Sequence, residues 1–134
     1  MNAFLLDNIL LIAIICVCVV SLAWPYVAKR RWGPEVDNRS ATELINHKNA
    51  QIVDLRDPAD FKKECIARSV NIPADRIQNE LGKLDKTRPV LLVDDDGRRS
   101  RMASPLLRGT GFKEVFILAD GLNAWRTAKL PFSR

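Results

Sequence analysis

The stretch VLLVDDDGRRS, Val90–Ser100, decides how the rest of the chain is read. An apolar run of strand length stops abruptly at three carboxylates, and a glycine, two arginines and a serine follow. The run is apolar at every position, so it reads as a strand buried on both faces. Gly97 and the polar residues around it read as a loop that opens a helix. Such a loop lies at the carboxyl end of a strand, where ligands collect in open α/β sheets. Three chemistries fit its residues, and each makes demands on the surrounding sequence.

A metal-dependent phosphotransferase would use Asp94 as nucleophile and Asp96 as acid, as in the first motif of haloacid-dehalogenase-type phosphatases. It would also need a magnesium ion, a downstream lysine and a further acidic pair. Only about 35 residues follow the loop, and Arg98 stands where a small hydroxyl side chain is wanted. A calcium loop would start well with Asp94 and Asp96. It then meets Arg98 and Arg99 at ligand positions, and Pro105 where its closing glutamate belongs. An anion cradle needs a glycine-containing loop whose backbone N–H groups converge at a helix start. Arg98, Arg99 and Arg101 would add positive charge, yet the first loop position holds Asp94, itself an anion.

Outward from the loop, strands alternate with helices. AQIVDLR (50–56), SVNI (69–72) and EVFIL (114–118) read as further strands. SATE (40–43) fits a capping box, with Ser40 as cap and Glu43 reaching back. Asp57 and Pro58 open a short helix to about Glu64. Ile77, Leu81 and Leu84 recur at helical spacing and predict a helix with one face inward. A helix follows the Asp loop and kinks or restarts at Pro105, with Ser104 as cap. DGLNAWRTA (120–128) is the last helix. GTGF (109–112) closes a helix and is no dinucleotide fingerprint. The alternation predicts an α/β domain with a parallel sheet covered on both faces.

At the other end of the chain, Ile9–Val27 is 19 residues without a charge. At 1.5 Å per residue this is close to the ~30 Å hydrocarbon core of a bilayer. Trp24, Tyr26 and Trp32 cluster at one end, and Lys29, Arg30 and Arg31 follow directly. A cleaved signal peptide would carry its positive charge before the apolar run, and SLA (21–23) is a poor cleavage site. The reading is a single-pass anchor over 1–28, a basic juxtamembrane linker over 29–34 and a folded domain over 35–134. The positive flank places the domain in the cytoplasm and the N-terminus outside. In a cytoplasmic domain the Asn38–Ser40 sequon has no use.

Composition excludes several classes. All 21 basic residues and all but one of the 16 acids follow residue 28, a net +6 there. The bases alternate with acids, so the surface reads as mixed charge and not as a nucleic-acid platform. Cys16 and Cys18 sit in the apolar run and Cys65 is alone, which is no disulfide framework. With His47 the only histidine, no Cys/His metal site is available, and no cofactor or metal is expected. His47 is expected to be exposed and to offer no general base.

Taken in order, several stretches resemble the rhodanese-like family of sulfurtransferases over about Glu35 to Pro131. IVDLRDPADF looks like the family's strand followed by acid-x-Arg. ECIARSVNIP occupies the place of Gly-His-Ile…Ala-x-Asn-Ile-Pro. VLLVDDDGRRS aligns with a strand followed by Cys-x-x-Gly-x-Arg-Ser, and GFKEVFILADGLNAWRTAKLP with the closing motif. The resemblance implies a five-stranded parallel α/β domain, behind an N-terminal transmembrane helix as in small membrane-tethered bacterial members at the inner membrane. It implies an active loop over Asp94, Asp95, Asp96, Gly97, Arg98 and Arg99, with Ser100 after it. Active members carry at the first position a cysteine that becomes a persulfide. Asp94 holds that place here, and a carboxylate cannot carry a transferable sulfur. Glu64 and Cys65 replace Gly-His, and Asp120 replaces the first glycine of a pair whose second is Gly121.

The resemblance therefore implies a membrane-tethered module that is catalytically inactive and binds a partner protein or an anionic ligand. A sulfur relay through Cys65, with Lys62, Lys63 and Arg68 nearby in sequence, is the alternative, and the Asp-dependent phosphatase a third. Asp54 and Arg56 are expected to brace a strand end, and Trp125 to pack in the core.

Overall fold

The computed structural model describes residues 2–133, without the side chains of 28–32. The chain divides into two compact units, the first ending at Arg31 and the second starting at Trp32. The first unit holds helix α1 (Asn2–Asp7) and most of helix α2 (Ile9–Trp32). Asn8 joins them, its side-chain amide donating to the Phe4 carbonyl at 2.9 Å. Ile9–Val27 is long and apolar enough to cross a membrane and none of it is buried. Helix α2 runs past Pro25 and stops at Gly33, whose φ of +88° no continuing helix adopts.

The second unit is a five-stranded, all-parallel sheet in the order β1-β5-β4-β2-β3. Its strands are β1 (Glu35–Val36), β2 (Gln51–Asp54), β3 (Val70–Asn71), β4 (Val90–Val93) and β5 (Val115–Leu118). Its helices are α3 (Asn38–His47), α4 (Pro58–Lys63), α5 (Ile77–Glu80), α6 (Arg98–Gly109) and α7 (Gly121–Thr127). Strand residues alternate between two cores. Val53, Leu55, Val90 and Leu92 pack with Ile77 of α5 and Ala103 and Leu107 of α6. Ile52, Leu91 and Val93 pack with Ala41 of α3 and Leu122 and Trp125 of α7. Every residue of β2 and β4 is buried, which is why neither strand shows a polar face in the sequence.

Three local expectations are corrected. The cap of α3 is Asp37, whose carboxylate accepts the Ser40 N–H at 2.8 Å; Ser40 is inside the helix, not its cap. The stretch after Pro73 is no continuous helix: a 3-10 turn (Ala74–Arg76), the single turn α5 and a second 3-10 turn (Leu81–Lys83) follow one another. Ile77 and Leu84 still reach the core. Helix α6 runs unbroken through Pro105, with Ser104 buried inside it. Ala103 and Leu107 on the same helix are buried, and this packing outweighs the hydrogen bond lost at the proline.

Candidate functional site

Parallel pairing brings the carboxyl ends of β2, β4 and β5 to one edge of the sheet, and the loop after β4 lies there. Asp94 is 1% exposed. One carboxylate oxygen accepts the Gly97 N–H at 2.7 Å and the Ser100 hydroxyl at 3.0 Å. The other accepts the Arg99 N–H at 2.8 Å. Gly97 takes φ +96°, which turns the chain so that these amides of the loop and the first turn of α6 converge on one point. Burial pushes the Asp94 carboxyl above the usual carboxylate range, against the three donors that hold it down.

The rest of the loop is set from outside. Leu122 N–H donates to the Asp94 carbonyl at 2.7 Å and Asn123 N–H to the Asp95 carbonyl at 3.1 Å. For α7 to come this close, its first residue must be Gly121: a Cβ there would stand 2.5 Å from the backbone of Asp94 and Asp95. The preceding Asp120 adopts φ +58°, a left-handed conformation unusual for a non-glycine residue. Asp96 turns back on the helix start, accepting the Arg98 N–H at 3.1 Å. Arg98 and Arg99 are exposed, whereas Arg101 donates to Glu35 of β1 at 2.6 Å.

Beside the loop, Asp54 and Arg56 are buried and joined. The Arg56 guanidinium reaches Asp54 at 2.8 Å and the Glu64 carbonyl at 2.6 Å, and its N–H bonds the same carboxylate at 2.9 Å. Burial works against the Arg56 charge, but Asp54, with Asp95 and Asp60 beyond it, holds its pKa above the ordinary value. The Asn71 side chain ties β3 to the same turn through the carbonyls of Asp54 and Arg56.

A cleft of about 420 Å³ lies here, lined by Arg56, Asp60, Lys63, Glu64, Asp95 and Arg126. Arg126 reaches Glu64 at 2.5 Å and Lys63 is 4.0 Å from Asp60, so each base in the wall already faces an acid. Arg126 meets Glu64 across the fold, and no local motif announced it; Lys63 and Glu64 stood out in the sequence only as neighbours of Cys65. Cys65 is not among the lining residues. It is half-buried, and its backbone pairs with Ser133 in an isolated antiparallel bridge. Trp125 is buried and donates to the Pro131 carbonyl at 3.1 Å, while His47 is exposed at the end of α3. Among the described residues no group of three His, Cys, Asp or Glu side chains could hold a metal ion.

A five-stranded parallel sheet with a tight loop wound around one point at the end of a central strand is the architecture of a rhodanese-like domain. The family model for that domain matches residues 37–128, and the chain belongs to the rhodanese-like family. It is 39% identical over 97 residues to the uncharacterized protein YibN of Escherichia coli K12, covering 70% of this chain and 68% of YibN. It is 32% identical over 135 residues to the uncharacterized protein BU052 of Buchnera aphidicola, covering 96% of this chain and 92% of that one. The thiosulfate sulfurtransferase GlpE of Coxiella burnetii is 30% identical over 92 residues, covering 69% of this chain and 86% of GlpE. Among solved structures, the rhodanese-related protein of Thermoplasma volcanium shares the fold with a TM-score of 0.67 at 22% identity, over 75% of this chain and 98% of that one.

Proposed function

We propose that this protein is a rhodanese-like module that carries no transferable sulfur at its loop and binds a partner protein, tethered to a membrane by Ile9–Val27. The observation that carries the reading is the Asp94 carboxylate: buried, with both oxygens engaged by donors of its own loop. The anion that the cradle holds is part of the chain. Both oxygens are occupied within the loop, which also disfavours Asp94 as a phosphoryl nucleophile. The paired charges of the cleft favour a protein segment over a small anion. A free anion would have to break existing ion pairs, whereas a polypeptide can exchange them for pairs of its own. The uniformly apolar span followed by Lys29, Arg30 and Arg31 supports the tether, with the domain on the cytoplasmic side.

The variant Asp94→Cys tests the cradle. A cysteine thiolate there can displace sulfite from thiosulfate, forming a persulfide, and cyanide can then remove the outer sulfur as thiocyanate and regenerate the thiolate. The expected result is thiocyanate production by the full-length variant and none by the wild type. A folded but inert variant would count against an intact cradle. Mass spectrometry of the wild type after thiosulfate treatment completes the test. An added sulfur on Cys65 would overturn the proposal in favour of a relay through that thiol.

A further inference from the structure

The edge of the sheet opposite Asp94 has a character of its own. The turn before β4 and the turn before β5 meet there around a groove of about 380 Å³. Lys86, Arg88 and Lys113 line it, with Glu114 the one acid in its wall. Lys86 crosses Gly111, which has φ +104°, and its ammonium lies 6.0 Å from the centre of the Phe112 ring. Arg88 is held in place by the Asn49 carbonyl at 3.0 Å, and Lys86 and Lys113 are exposed. The nearby acid Asp85 is turned back on its own loop, accepting from the Thr87 N–H and hydroxyl.

The polypeptide enters the second unit at this same edge. Pro34 accepts the Ile117 N–H at 3.0 Å, and Glu35 is in register with Ile117, so Gly33 is level with the start of β5. The Arg108 guanidinium lies against Gly33 and donates to the Val115 carbonyl at 3.1 Å. Between Val27 and β1 the sequence has only residues 28–34, of which Lys29, Arg30 and Arg31 are basic. A domain tethered by so short a segment is held within about 25 Å of the end of its span even if the segment is fully extended.

We infer that the groove formed by Lys86, Arg88 and Lys113 docks on the phosphates of acidic phospholipids, so that the Asp94 loop and its cleft face away from the bilayer. The inference rests on the proposal that Ile9–Val27 spans a membrane. Its force is electrostatic: a lysine or arginine at an acidic lipid surface strengthens binding about fivefold, on the order of a hundredfold for three. At the opposite edge the cleft's bases are paired, and exposed Arg98 and Arg99 stand beside exposed Asp95 and Asp96, so the net attraction there is weaker.

The full-length chain is incorporated into nanodiscs of phosphatidylcholine alone, or of phosphatidylcholine and phosphatidylglycerol in equal parts. An amine-acylating reagent then reads the lysines by mass spectrometry. The expected result is strong protection of Lys86 and Lys113 in the acidic discs only, with Lys62, on the far side of the sheet, reactive in both. Raised salt, or the R88Q/K113Q variant read at Lys86, should return labelling to the neutral-disc level. Incorporation into both discs with equal Lys86 labelling would overturn the dock and leave the span standing. Failure to incorporate into either would overturn the span and the dock with it. Protection in neutral discs on adding inorganic phosphate, without an effect of acidic lipid, would assign the groove to a free anion and overturn the lipid reading.

Discussion

Replacing Asp94 by alanine should destabilise the domain by about 2–4 kcal/mol. The carboxylate accepts from Gly97 N–H, Arg99 N–H and the Ser100 hydroxyl at 2.7, 2.8 and 3.0 Å. Hydrogen bonds to a charged partner contribute ~1.5–3 kcal/mol each, hence ~5–9 kcal/mol for three. Opposing them is the cost of burying a carboxylate, several kcal/mol. That this cost is felt is evident from the direction of the Asp94 pKa, which burial raises despite three donors. The difference is the net loss, and for a domain of this size it lowers Tm by on the order of 10–25 °C. Asparagine should fall between the two, because it keeps one acceptor oxygen but turns an NH2 group toward a backbone N–H. Thermal unfolding of the full chain in detergent, followed by near-ultraviolet circular dichroism, reads the change. If alanine left stability within about 0.5 kcal/mol of wild type, desolvation would cancel the cradle bonds entirely, and the reading of Asp94 as the cradle's own anion would lose its energetic basis.

Three further outcomes can be measured the same way. A carboxyl with a raised pKa in the fold contributes stability that is complete below its unfolded pKa and is lost as pH rises through the folded value. The advantage of wild type over Asp94→Ala should therefore be largest in acid and shrink on the way to neutrality, and a gap that is constant with pH would contradict the raised pKa. Gly121→Ala should destabilise by ~2–4 kcal/mol, combining a left-handed φ of +61° with a Cβ 2.5 Å from the loop backbone. A neutral result would mean that α7 can withdraw from the loop freely. Asp120→Gly should stabilise by about 0.5–1 kcal/mol by relieving the φ of +58°, and a loss of stability would show that the Asp120 side chain has an unrecognised role.

The strands that form the middle of the sheet were legible because they are buried on both faces and bounded by turn residues, as in PVLLV before Asp94. Strand β1 was not: Glu35–Val36 is two residues with no period, placed by its pairing with β5 and by contacts from residues distant in sequence such as Arg101. The cap of α3 was misplaced because Asp37 and Ser40 are both good caps three residues apart, and only the folded chain shows which one accepts from the other. Pro105 looked like a break because local propensity cannot register the packing of Leu107 and Ala103. At the site, Asp54 and Arg56 were legible as near neighbours in sequence. The Arg126–Glu64 pair joins residues 62 apart, and Arg101–Glu35 joins residues 66 apart, so no spacing rule points to either.

The dependence of the Asp94 loop on α7 has a consequence for synthesis. Ribosomes deliver the chain from its amino end, so Asp94 and Gly97 emerge well before Gly121, Leu122 and Asn123, which hold the loop backbone. The edge strand β1 likewise waits for β5, the strand with which it pairs. Contacts this distant in sequence form late and slow folding. On the nascent chain, the loop backbone and one edge of the sheet therefore stay without these partners until β5 and α7 have been made. A released chain truncated before Gly121 should carry the Asp94 loop in a protease-sensitive form, and the chain through Arg134 should protect it.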